Sequence, residues 1–281
     1  MTGKGGDADL PRPASGDARK TTGEELPATG GVRVVPLEGI PLVRPGDDIT
    51  ALVLEAVARA GTRLADGDVL VLAQKMVSKA EGRLVDLRAV EPSPRAARLA
   101  RQVAQDPRLV EVILSESRAV VRAEPGVLIT ETNLGFVCAN AGVDRSNVAS
   151  DDEVVALLPV DPDGSAAALR ASFGSATGAD VGVVISDSHG RPWREGVTGV
   201  ALGSAGVEPI LDLRGRADLF GRELRATTVG NLDEIAAAAS LCMGQADEAV
   251  PAVLLRGIAR REAGGRGAGE LQRDVRRDLF R

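Results

Sequence analysis

Apolar residues along this chain recur at two spacings. Residues 68–73 (DVLVLA), 181–186 (VGVVIS) and 252–255 are short, nearly continuous apolar runs, the pattern of strands covered on both faces. Residues 32–36 read as a further short strand, and 127–132 and 135–139 as neighbouring strands. Other segments carry the helical period. Behind Asp47 and Asp48, Ile49, Leu52, Val53, Ala56 and Val57 line one helical face, and the acids mark its N-terminus. Residues 94–105, 107–115 and 165–173 read as helices, and Asn231 is positioned to cap an alanine-rich helix running to about Met243. Strands alternating with helices predict an α/β protein. No repeat of fixed period is present, and a boundary between two lobes is placed in 159–164 (PVDPDG).

The ends depart from this pattern. Residues 1–31 are rich in Gly, Pro, Asp, Thr and Lys and bury too little to fold, so a disordered leader is expected there. Residues 258–281 mix Arg with Gly and acids and read as an Arg-rich mobile tail. The folded part is therefore 32–257.

Composition narrows the chemistry. Hydrophobic residues make up 44% of the 281, enough for a sizeable core, while aromatics are 2% with no Tyr. That leaves little for stacking bases, and a net charge of -6 opposes a general grip on phosphate backbones, so no nucleic-acid partner is expected. No apolar run reaches the roughly 18 residues of a membrane span, and the N-terminus lacks the apolar core of a secretory signal. The expectation is a cytoplasmic protein with no membrane partner. Cys138 and Cys242 lie far apart among apolar neighbours and read as small core residues. With one His and two Cys, a metal here should be a hard cation on oxygen ligands, magnesium or manganese.

Four polar stretches carry candidate chemistry. Residues 74–83 (QKMVSKAEGR) follow a buried strand, where open α/β sheets bind ligands and lysines suit phosphate oxygens; a solvated loop explains them equally well. Residues 140–147 (NAGVDRSN) hold Asp144 and Asn147, which serve a cation or simply make a turn. Residues 185–194 (ISDSHGRPWR) place Asp187 and Ser188 after a strand for metal and phosphate, with Arg191 and Arg194 as candidate clamps on carboxylate or phosphate. His189, the one histidine, reads as a polar contact more readily than a catalyst, and Trp193 as a packing residue. Gly244 reads as the C-terminal cap of the alanine-rich helix, followed by Gln245. There is no P-loop, no Rossmann G-x-G-x-x-G and no G-x-S-x-G elbow, so a bound nucleotide would need a less common architecture.

In order, GIPLVRPGDDI (39–49), GDVLVLAQKMVSKAEGR (67–83), DPRLVEVILSES (106–117), LITETNLGFVCANAGVDRSNV (128–148), LLPVDPDGSA (157–166), VVISDSHGRPWREG (183–196) and AAASLCMGQ (237–245) resemble the coenzyme F420-0:L-glutamate ligase family. These are the γ-glutamyl ligases of deazaflavin biosynthesis. The chain is also similar to the N-terminal half of the actinobacterial fused enzyme. The flavin-dependent reductase domain of that enzyme is absent here and would be a separate partner.

The resemblance implies an unusual two-lobed mixed α/β fold and a homodimer. It implies a reaction consuming GTP and L-glutamate, yielding GDP, phosphate and a γ-linked glutamyl amide on coenzyme F420-0 or its dehydro form. Magnesium or manganese would be required, with room for a monovalent cation such as potassium. Carried over position by position, Ile40, Pro41, Leu42, Val43, Gln74, Lys79, Asn147 and Gly244 would contact GTP. Asp144, Asp187, Ser188 and Gln245 would hold metal. Ser188 stands where Thr is common and Gln74 where some members carry a small polar residue, and both keep an oxygen. Lys79 would compensate charge during transfer, and Arg191 and Arg194 would grip substrate anions. Two other functions use the same loops: a metal-dependent phosphatase or nucleotidyl transferase, which needs no glutamate, and a non-catalytic GTP-binding subunit, which turns nothing over.

Overall fold

The computed structural model describes residues 31–148, 151–258 and 267–278. The leader expected over 1–31 thus lies outside the described residues except for Gly31. Chain order is β1 (Arg33–Pro36), α1 (Ile49–Arg59), β2 (Val69–Ala73), α2 (Gln74–Ala80), β3 (Leu84–Asp86), α3 (Pro94–Val103), α4 (Pro107–Ser115), β4 (Ser117–Glu124), β5 (Val127–Thr132), β6 (Val137–Ala139) and β7 (Val154–Ala156). Then come α5 (Pro162–Thr177), β8 (Gly182–Arg191), β9 (Arg194–Ala205), β10 (Ile210–Asp212), β11 (Thr228–Gly230), α6 (Asn231–Met243) and β12 (Ala252–Arg256).

The helix starts follow from side-chain chemistry. Asp48, Ser93, Asp106 and Asp161 each accept a backbone N–H from the first turn of α1, α3, α4 and α5, satisfying donors that the helix leaves unpaired. Pro94, Pro107 and Pro162 stand in the first turns of the last three, where no N–H is needed.

The central sheet has the order β1-β12-β2-β8-β9. Only β2 and β8 run parallel; the other neighbours are antiparallel. Alternation sorts its side chains onto two faces. Leu70, Leu72, Val183, Ile185 and Leu254 join α1 and α5 in one core, and Val69, Val71, Val184, Val253 and Leu255 join α6 in another. A third core is drawn from residues between Val85 and Leu157, where α3 and α4 pack with β4 and β5. The two β9 glycines that allow this layering are spaced for it. A Cβ on Gly199 would meet the Ala236 carbonyl oxygen of α6 at 2.4 Å, and one on Gly203 the Pro162 backbone of α5 at 2.3 Å. A register shift between Ile185 and Ser186 turns these glycines toward opposite helices, as β-bulges do. The free edge of β9 is covered by acids: Ala201 N–H donates to Asp233 (2.9 Å) and Ser204 N–H to Asp163 (2.8 Å), which blocks further strand pairing.

Several expectations need correcting. Residues 74–80 are not a loop but α2, with Gln74 and Lys79 buried. Asp187 does not follow a strand; it lies inside β8, which runs on to Arg191 and turns back as β9. Trp193, read as packing, has φ 62° in that turn and is 84% exposed. Gly230, not Asn231, is the N-cap of α6, because the Asn231 amide donates instead to the Glu208 carbonyl. The tail expected to be mobile packs over part of its length: Ala268 is fully buried in the α6 core beside Leu271, and its N–H donates to Asp163.

β10 and β11 begin a hairpin arm that backbone bonds extend outward, Leu213 N–H donating to Thr227, Gly215 N–H to Leu224 and Asp218 N–H to Arg222. At its tip Leu219 is 98% and Phe220 83% exposed. Among the described residues no helix is long and apolar enough to cross a membrane.

Candidate functional site

A cavity of about 640 Å³ opens at the carboxyl end of β2, where its parallel pairing with β8 stops at Ser186. Parallel strands direct their connections away from that end and leave a crevice there, and the volume suits a nucleotide-sized ligand. One wall is the 40–43 loop. Gln74, Lys75 and Lys79 of α2 form the floor, β8 supplies Ser186, Asp187 and Ser188, and the end of α6 with the 244–251 turn closes the far side.

α2 is pinned to the segment around Asn147. The Lys79 ammonium donates to the Asn147 carbonyl at 2.5 Å. Burial, then repulsion from Lys75, lowers the Lys79 pKa below that of an ordinary lysine. Asn147 sits in the left-handed region (φ 55°) and its amide donates to the Ala246 carbonyl at 2.9 Å, tying this segment to the turn after α6. That turn is tight. Gly244, with φ 70°, ends α6, and a Cβ there would strike the Glu248 carboxylate, which accepts the Ala246 N–H.

Asp144 stands just outside the lining. Its carboxylate accepts from Lys75 at 2.8 Å and from Ser146 N–H at 2.7 Å. Burial opposes its ionisation, but the bonds from Lys75 and Ser146 outweigh that and hold it below the usual carboxylate range. Asp187 and His189 share one face of β8. His189 Nε2 lies 3.2 Å from Asp187 Oδ2, buried and without hydrogen-bond geometry, with the Phe136 ring edge-on at 6.4 Å. Behind them burial, with the Asp187 charge, pushes the Cys138 thiol up to about 12, so it is no nucleophile.

The structure thus gathers Ile40, Pro41, Leu42, Val43, Gln74, Lys79, Asn147, Asp187, Ser188, Gly244 and Gln245 around one cavity. Asp144 joins them only through Lys75. Arg191 and Arg194 do not line it; they flank the exposed β8–β9 turn. Sequence reasoning missed Lys75, Gly199, Met243 and the 246–251 turn as lining residues. Lys75 and Met243 lay within stretches already singled out, but nothing in their spacing set them apart. The oxygen donors suit a hard divalent cation. Among the described residues no three His, Cys, Asp or Glu cluster as a metal site.

The sequence model of the F420-0:gamma-glutamyl ligase family matches residues 39–257. The chain is 51% identical over 227 residues to the coenzyme F420:L-glutamate ligase of Methanothermobacter thermautotrophicus, covering 81% of this chain and 89% of that protein. It is 49% identical over 258 residues to the protein of that name from Methanopyrus kandleri, covering 90% and 100%. The Methanocaldococcus jannaschii protein of the same name is 41% identical over 250 residues, covering 89% and 97%.

Proposed function

The chain belongs to the F420-0:gamma-glutamyl ligase family and is a ligase, and from that premise we propose that it uses GTP to join L-glutamate to coenzyme F420-0, or its dehydro form, through a γ-linked amide. The observation that carries the reading is the convergence of five segments remote in sequence, 40–43, 74–79, 147–148, 186–188 and 243–251, on one cavity that mixes lysines, the acids Asp187, Asp247 and Glu248, and neutral oxygens.

A carboxylate and an amine do not condense in water, because oxide is a poor leaving group. The sequence we propose starts with attack of the precursor carboxylate oxygen on the γ-phosphorus, releasing GDP and leaving an acyl phosphate. The glutamate amine then attacks the acyl carbon, the C–O bond to phosphate breaks, and the nitrogen loses a proton. Magnesium or manganese, held by Asp187, Ser188 and Gln245 with Asp144 behind, would screen phosphate charge; potassium is a further candidate. Lys79 supports the same charge from the cavity floor. The 40–43 loop, Gln74, Asn147 and Gly244 supply the nucleotide's walls. Arg191 and Arg194 lie outside the cavity, and we assign them no step. For the homodimer, the arm tip supports the reading: Leu219 and Phe220 stand exposed there, and a second copy of the chain would cover them.

The test is incubation of the purified protein with F420-0, GTP, divalent metal and L-glutamate, with mass spectrometry of the deazaflavin. A gain of glutamyl units that needs all three additions supports the ligase. GTP loss without product growth points to a phosphatase, and no GTP loss points to a binding subunit.

A further inference from the structure

Lys75 is the polar residue of the cavity floor that the functional reading leaves without a task. It lines the cavity, yet its ammonium is drawn aside. It donates to Asp144 Oδ2 (2.8 Å), the Ser146 carbonyl (3.0 Å) and the Ser146 hydroxyl (2.9 Å). Those three acceptors match the three donors of an ammonium group, so in this state Lys75 is satisfied and Asp144 is neutralised by a side chain. Lys79 lies one helical turn on, so both lysines project from the same face of α2.

We propose that Lys75 is a further phosphate-binding residue of the cavity, parked on Asp144 until a divalent cation takes that carboxylate. The proposal rests on the reading of Asp144 as a cation ligand and of a nucleoside triphosphate as co-substrate. A cation on Asp144 sets two positive charges against the ammonium at contact distance, and like charges at that range repel strongly. The lysine stem is flexible and its head is a compact charge. Displaced from Asp144, it swings toward the cavity it already lines, where the phosphate oxygens of a bound nucleotide offer acceptors in place of those it lost. The exchange makes cation and nucleotide binding cooperative: each favours the position of Lys75 that the other requires.

The experiment measures Mn²⁺ affinity by electron paramagnetic resonance on the nucleotide-free chain, and affinity for a hydrolysis-resistant GTP analogue at saturating Mn²⁺, for wild type, Lys75→Met and Lys75→Arg. Removing the competing charge in Lys75→Met is expected to tighten Mn²⁺ binding by about tenfold and weaken the analogue by about tenfold, each equivalent to about 1.4 kcal/mol. Lys75→Arg keeps a charge and gains a forked bond to Asp144, so its Mn²⁺ affinity falls to or below that of wild type. Mn²⁺ affinity unchanged or weaker in Lys75→Met overturns the proposal, as does an unchanged analogue affinity. Should Lys75→Met fail to fold by circular dichroism, Lys75→Arg decides, with tighter Mn²⁺ binding as the overturning result. A wild-type chain that binds neither Mn²⁺ nor the analogue instead sinks the functional reading on which the proposal stands.

Discussion

Gly199 joins the fold to the site, and replacing it with alanine separates packing from chemistry. It faces α6 from the middle of β9 and also lines the cavity, opposite Ser188. A Cβ there would stand 2.4 Å from the Ala236 carbonyl oxygen, 2.8 Å from its carbon and 3.0 Å from Ser240 Cβ. The first two are backbone atoms, which no rotamer moves. To restore ordinary spacing of about 3.5 Å, α6 must retreat on the order of 1 Å. Overpacking of this kind costs about 1–3 kcal/mol, and at about 2 °C per kcal/mol for a chain of this size the melting temperature should fall by roughly 2–6 °C. The retreat also carries away Met243, Gly244 and Gln245, which end α6 at the cavity. A displacement of about 1 Å commonly costs 10²-fold in turnover. Gly190→Ala is the control, since its Cβ meets nothing within 4 Å and its φ is not positive. Thermal unfolding and glutamate-dependent turnover are measured together. If Gly199→Ala melts with Gly190→Ala and the wild type, α6 does not bear on β9 at this glycine, and the packing argument is wrong.

Asp187→Asn keeps the shape but loses the charge facing the cavity, and metal-dependent turnover should fall by about 10²-fold or more; full turnover in Asp187→Asn and in Asp144→Asn would remove both from the metal assignment. Asp68 has a side chain only 2% exposed, held by Arg256 at 2.6 and 2.8 Å. Arg256→Met leaves that buried charge with the Ala65 N–H as a remaining donor but no counter-charge, and urea unfolding should show a loss of about 3 kcal/mol; a loss under 1 kcal/mol would mean that solvent reaches Asp68. Burial raises the Asp233 pKa above its ordinary 3.8, with the Ala201 N–H and then His189 opposing, so the folded chain holds this proton more tightly than the unfolded one. Its contribution is then greatest below 3.8 and is lost as pH rises through the raised folded value. Asp233→Asn, which keeps an acceptor for Ala201, should therefore gain stability relative to wild type at pH 7 and not at pH 3, and an equal difference at both would refute the assignment.

How far the sequence speaks for itself depends on whether a residue answers to its neighbours or to distant ones. DVLVLA was legible because a strand buried on both faces must be apolar throughout, and α4 because Asp106 and Pro107 serve its own first turn. α2 was not legible. Its seven residues have no side-chain cap, and Gln74 and Lys79 are polar yet buried. What buries Lys79 is the cavity floor and a carbonyl 68 positions away. β9 was missed for the opposite reason. Glycine disfavours strands locally, yet Gly199 and Gly203 are the residues that let α6 and α5 approach. The arm between β10 and β11 has no buried face to impose alternation, so its pairing rests on backbone bonds that composition does not encode. The same division runs through the site. Gln74 and Lys79 follow the carboxyl end of the buried strand β2, a place that a strand pattern locates, and Asp187 and Ser188 come just after the buried part of β8 that pairs with β2. Arg191 and Arg194 looked equivalent to them in sequence, but β8 continues past Asp187 and carries both to the far turn. Only the length of a strand, fixed by its pairing with β9, distinguishes a residue in the cavity from one beyond it.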